Sequence, residues 1–304
     1  MNVYLPIAEM SLDLTSLLLL GGGVGVLSGL FGVGGGFLLT PLLIFLGVPP
    51  PVAVATGANQ VVGASVSGLF AHWRRRNVDV RMGSVLLAGG LAGSWAGVAL
   101  FAWLNRSGQL DLAISLAYVV FLGIVGGLMA AESVVTLRRR RLSPIAPRKR
   151  HRHPYPNLPF KLRFPRSGLY ISALVPLAVG AVGGLLSAMM GVGGGFVMVP
   201  LMIYVLEMPT AVVIGTSLFQ VLFVTANVTL LHAVTTQTVD VLLMVTLLVG
   251  GAVGAQFGAR FGARLRAEHL RLLLAGLVLA VCLRLALDLV LPPADLFSLE
   301  PRLG

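Results

Sequence analysis

The sequence predicts an all-α polytopic membrane protein built from two inverted-topology repeats, with about 8–10 membrane helices, some of them short and broken by glycine. Three observations carry this. The 304-residue chain is 57% hydrophobic and 11% charged, with a mean hydropathy of +0.93, well above the roughly 45–50% apolar content of a soluble domain. The second half repeats the first at an offset of about 159 residues. The same glycine-rich interruption, Gly32-Val33-Gly34-Gly35-Gly36 and Gly191-Val192-Gly193-Gly194-Gly195, stands at matching places in both halves.

Apolar runs fall near 12–31, 37–48, 52–73, 82–104 and 110–136, and again near 168–190, 196–207, 210–233, 240–262 and 268–291. Most reach the roughly 20 residues that a membrane helix needs, and their continuous rather than alternating character disfavours a β-barrel. The first run follows Glu9 and lies beside Asp13 with no Lys or Arg before it. That is the reverse of a signal peptide's basic leader, so it is expected to belong to the mature protein. The dozen residues after each glycine break, 37–48 and 196–207, are too short for an upright span. They are expected as half-helices, re-entrant hairpins or short tilted spans.

The repeat is read from uncommon positions: Ser28/Ser187, Pro41/Pro200, Thr56/Thr216, Gln60/Gln220, His72/His232, Asp79/Asp240, and the glycine sets 89/250, 93/254 and 97/258. The chain divides into a first transmembrane repeat (1–137), a basic Pro-rich linker (138–166) and a second repeat (167–304). The linker holds half of all Lys and Arg and six prolines, and it cannot build a core of its own.

Net charge of +11 would suggest nucleic acid if the basic residues formed one face. They sit instead at the ends of apolar runs, Arg74-Arg75-Arg76 with Arg81, the linker, and Arg260, Arg264, Arg266 and Arg271, which marks the cytoplasmic side of a bilayer. No nucleic-acid partner is expected. The linker is then cytoplasmic, and both termini, the latter with Asp295 and Glu300, are outside. Each half crosses an odd number of times, which makes the repeats inverted.

Cys282 stands alone and no Cys/His spacing suits a metal, so neither cofactor nor metal is expected. The glycine runs lack a following Lys-Ser/Thr and a strand-turn-helix setting, which removes the nucleotide-loop reading. No nucleophile motif supports an enzyme.

At each break the glycine N–H groups and a half-helix end can face a cavity and favour a small anion. The candidate substrate-binding residues are Gly32, Gly34, Gly35 and Gly36 in the first half and Gly191, Gly193, Gly194 and Gly195 in the second. Thr56, Asn59 and Gln60, with Thr216, Ser217 and Gln220, add uncharged polar groups on the next helix of each half. The same glycines and polar groups could instead serve close helix packing. His72 and His232 are candidates for proton coupling or for anchoring at the interface. Arg284 and Asp288, one turn apart, are expected to pair.

Leu27 to Pro41, LSGLFGVGGGFLLTP, and Leu185 to Pro200, LLSAMMGVGGGFVMVP, resemble the repeated signature of the sulfite exporter TauE/SafE family of permeases. The resemblance runs from about residue 14 to 291 apart from the linker, which is longer and more basic than in simpler members. It implies a bacterial-type inner-membrane permease for small sulfur anions such as sulfite or organosulfonates. The expectation is a secondary carrier, an exporter, with a passive anion channel or a membrane scaffold for a partner enzyme as the alternative.

Overall fold

The computed structural model describes residues 2–31, 36–74, 76–142, 159–262 and 267–291. The first half runs β1 (Asn2–Leu5), β2 (Met10–Asp13), α1 (Leu14–Phe31), α2 (Gly36–Phe45), α3 (Pro50–Arg74), α4 (Val80–Arg106) and α5 (Leu110–Leu142). The second half repeats that order as β3 (Lys161–Phe164), β4 (Leu169–Ser172), α6 (Leu174–Met190), α7 (Gly195–Tyr204), α8 (Thr210–Thr235), α9 (Val241–Gly262) and α10 (Ala267–Val290). The expected all-α membrane architecture is present. Among the described residues, five helices are long and apolar enough to cross a membrane: Val80–Arg106, Leu110–Ala131, Val212–Thr235, Val241–Gly258 and Leu272–Val290.

The halves are interleaved. Helix α1 packs on α9, and its counterpart α6 packs on α4; α3 packs on α8, and α5 on α10. Small residues set the first two seams, as they do where membrane helices come into backbone contact. A Cβ on Gly25 would run into Gly251 O, and one on Gly254 into Gly22 O; on the other side, Gly93 faces Ala181 O and Gly184 faces Gly90 O. Residue numbers rise together along both seams, so each pair is parallel. Helices α3 and α8 run antiparallel, because Thr56 near the start of α3 meets Asp240 beyond the end of α8, while Thr216 meets Asp79 beyond the end of α3.

Two elements depart from the sequence expectation. Helices α1 and α6 begin later than the apolar runs at 12–31 and 168–190, because Met10–Asp13 and Leu169–Ser172 are strands of antiparallel hairpins, β1–β2 and β3–β4, each with four paired residues per strand. Leu5 and Phe164, at equivalent ends of the first strands, are fully buried and seat these hairpins on the bundle. The expected boundary at 166/167 falls in the turn of β3–β4, and linker residues 143–158 lie outside the described residues, as do Asp295 and Glu300. The expected Arg284–Asp288 pair does not form. The Arg284 guanidinium lies over the Phe45 ring, 4.4 Å from its centroid, where a cation meets the negative face of the π-system.

The short helices turn back. Helix α2 ends beside the hairpin that precedes α1, where a Cβ on Gly47 would stand 3.8 Å from the Met10 methyl. Beyond α7, Leu206 and Met208 share a core with Phe164 and Leu169 of the β3–β4 hairpin. The second break is thus the tip of a helical hairpin that returns to the end of the bundle where it began, and α2 likewise ends at the end of the bundle where α1 starts. Ten residues rise only about 15 Å, half of a bilayer's hydrocarbon core.

Candidate functional site

The second break is built by glycine geometry. Gly191 closes α6 in the left-handed region, φ 66° and ψ 13°, and its N–H donates to Ser187 O at 2.9 Å. Gly193 and Gly194 are also left-handed, with φ of 72° and 73°. Three such residues in four reverse the chain at a cost that side-chain-bearing residues rarely meet. Space is short as well: a Cβ on Gly191 would strike the Val54 backbone, and one on Gly193 the Val61 side chain. The second break is therefore wrapped on α3 of the other half.

Gly194 then N-caps α7, its carbonyl accepting from Val197 N at 3.1 Å and Met198 N at 2.7 Å. Having no side chain, it offers no oxygen to the first N–H groups of the helix. The N–H groups of Gly195 and Phe196, at the first two positions of α7, have no intrahelical acceptor, and the helix end carries roughly half a positive charge.

Gly32, Gly34 and Gly35 lie outside the described residues. Gly36 opens α2, and the site of its missing Cβ is 2.8 Å from Val192 O. The two breaks consequently meet. Phe37 and Phe196, each one residue inside its short helix, stack with centroids 4.2 Å apart and planes 11° from parallel, and Phe121 adds an edge to Phe196. Tyr118 of α5 is fully buried and donates its hydroxyl to Met190 O, the last carbonyl of α6.

The polar residues of α3 and α8 divide into three placements. Thr56 and Thr216 accept the backbone N–H of Asp240 (3.2 Å) and Asp79 (3.0 Å), which fixes the helix ends of the opposite half. Gln60 lies over the α1–α9 seam: its Nε2 donates to Gly21 O at 3.2 Å and its side chain fills the space left by Gly251. Gln220 takes the matching position against Gly90 of α4. Each glutamine keeps a buried Oε1 without a partner, and Asn59 a buried Nδ2. Ser217 donates to Ile214 O within its own helix.

His232 is enclosed rather than interfacial. It is fully buried, with Nε2 3.0 Å from Ala188 O, Nδ1 3.2 Å from Thr236 Oγ1 and its ring edge-on to Phe101. His72, its counterpart, is half-buried near the end of α3.

Sequence reasoning found the aspartates only as matched positions. Asp79 and Asp240 are buried and dock the two hairpins. Asp79 Oδ2 accepts from Ser167 N (2.9 Å) and Ser167 Oγ (2.6 Å), and its Oδ1 caps α4 through Met82 N. Asp240 Oδ2 accepts from Ile7 N at 3.1 Å, and its Oδ1 caps α9 through Leu242 N and Leu243 N. An Asp standing directly before an apolar helical run was the available signal.

Comparison with known proteins agrees with this architecture. The profile described as sulfite exporter TauE/SafE matches residues 17–285. A protein named probable membrane transporter protein YjnA of Bacillus subtilis is 26% identical over 89% of this chain and 98% of its own length. A probable membrane transporter protein of Xylella fastidiosa is 32% identical over 66% of this chain and 67% of its own. The sulfite exporter TauE/SafE family protein 3 of Arabidopsis thaliana is 28% identical over 38% of this chain and 25% of its own. No solved structure matches.

Proposed function

Because the chain belongs to the sulfite exporter TauE/SafE family and is a membrane transporter, we propose that it is a secondary carrier exporting a small sulfur oxyanion or sulfonate across the inner membrane. The carrying observation is the meeting of the two breaks, with Gly36 against Val192 O and the rings of Phe37 and Phe196 in contact. A substrate held there touches both halves, so relative movement of the halves changes which side it faces. The antiparallel α3–α8 pair and the seating of the two hairpins at opposite ends of it support inverted repeats.

In this reading Gly191, Gly193, Gly194 and Gly195 line the site together with Gly32, Gly34, Gly35 and Gly36 of the first half. Asn59 offers a further buried donor. Thr56, Thr216, Gln60 and Gln220 hold the surrounding helices in place, Ser217 bonds within its own helix, and His232 is better enclosed than His72 for a role in coupling. The termini are assigned to the outside and the linker to the cytoplasm by the arginine distribution.

Sulfite flux in proteoliposomes tests the reading. Saturable flux that follows an imposed gradient is expected, and Gly194→Leu should abolish it. Flux that never saturates would indicate a channel, and no flux of sulfite, thiosulfate or a sulfonate under any gradient would end the proposal.

A further inference from the structure

We propose that the Ser187 hydroxyl is a substrate-contacting donor, which together with the first N–H groups of α7 selects a small anion bearing several oxygen acceptors. The inference rests on the transport reading above and adds a residue to its site.

Ser187 is fully buried in the last turn of α6, and its Oγ has no hydrogen-bond partner. Other helical hydroxyls fold back onto the preceding turn, Ser94 onto Leu91 O at 2.8 Å, Thr225 onto Val221 O at 2.6 Å and Thr246 onto Leu242 O at 2.8 Å, while Thr40, Ser65 and Thr229 share with Ser187 a buried hydroxyl without a partner; what sets Ser187 apart is where it stands. A buried hydroxyl left unpaired costs free energy that nothing in the surrounding protein returns.

Its position supplies the reason. The Ser187 Cβ lies 3.8 Å from where a Cβ on Gly194 would sit, so the side chain stands beside the residue that caps α7. Gly194 contributes no capping oxygen, and the N–H groups of Gly195 and Phe196 are left without intrahelical acceptors. A hydroxyl donor and two peptide donors therefore gather around one helix N-terminus, which favours negative charge. The other two groups nearest to that position, Gly183 O and the Val221 side chain, are uncharged. An anion held by neutral donors gains most when it presents several oxygens, so an oxyanion fits better than a halide. Ser28 is the counterpart of Ser187 in the first half.

Thermal unfolding of the full-length detergent-solubilised protein, with sodium sulfite as the probe, tests this. Ser187→Ala should leave the anion-free melting temperature equal to or above that of wild type, because an unpaired hydroxyl is removed. It should also raise the half-saturating sulfite concentration about tenfold, or 1.4 kcal/mol, whereas Ser187→Thr keeps the donor and should stay nearer wild type. Equal sulfite response in wild type and Ser187→Ala would overturn the assignment alone, as would a lower anion-free melting temperature in the alanine variant. A wild-type protein stabilised by none of sulfite, thiosulfate and sulfate would overturn the site reading and this inference together.

Discussion

Phe37 and Phe196 occupy equivalent positions in the two halves, and their rings stack face to face at 4.2 Å where the two glycine breaks meet. Both are 2% exposed. A residue and its own repeat counterpart touching in the interior places the junction of the halves at the breaks.

That contact should be measurable as coupling. Phe37→Leu and Phe196→Leu are each expected to destabilise the protein, and the double variant to lose less than the sum, by about 0.5–1.5 kcal/mol for the ring pair. Unfolding followed by tryptophan fluorescence would check it; strict additivity would mean that the stack contributes nothing beyond its area.

The glycines of the second break are required for different reasons. Gly194 is left-handed but has room, its nearest neighbours standing 3.6–3.8 Å from a Cβ. Gly194→Ala should cost about 1–2 kcal/mol, the left-handed penalty alone. Gly191→Ala adds a clash with the Val54 backbone and should cost about 3 kcal/mol or more. Equal unfolding free energies for the two would contradict the packing of the break on α3.

Asp79 should control the docking of the β3–β4 hairpin. Ser167→Ala removes one charge-assisted hydrogen bond and is expected to cost about 1.5–3 kcal/mol; Asp79→Ala removes all three and should cost more. In a Cys282→Ser background, a Leu169→Cys probe, buried beneath the hairpin, should react faster with maleimide once Asp79 is Ala. Unchanged labelling would show that the hairpin stays seated without it.

Gly251 and Gln60 should compensate each other. Gly251→Ala puts a methyl against the Gln60 side chain and should lower the melting temperature, while Gln60→Ala in the same chain should recover part of the loss. Failure of Gln60→Ala to relieve the defect would move the clash to the α1–α9 seam itself.

The helices, the repeated order of elements and the second break were legible because each has a one-dimensional signature. Continuous apolar runs give spans, matched polar and glycine positions give duplication, and glycine clusters inside apolar sequence give breaks. The strand hairpins were not legible, since four-residue strands beside apolar helices leave no period long enough to separate from the helix pattern.

By itself the sequence determined an all-α membrane chain in two copies, its glycine interruptions, and its family resemblance. Tertiary structure decided which helix of one half meets which helix of the other, and so what the polar residues do. Thr56 and Gln60 lie four apart on one helix, yet the first holds Asp240 of the other half and the second spans a seam of glycines. The physical reason is that a buried polar group is defined by its partner, and here the partners lie more than a hundred residues away or in a helix packed alongside.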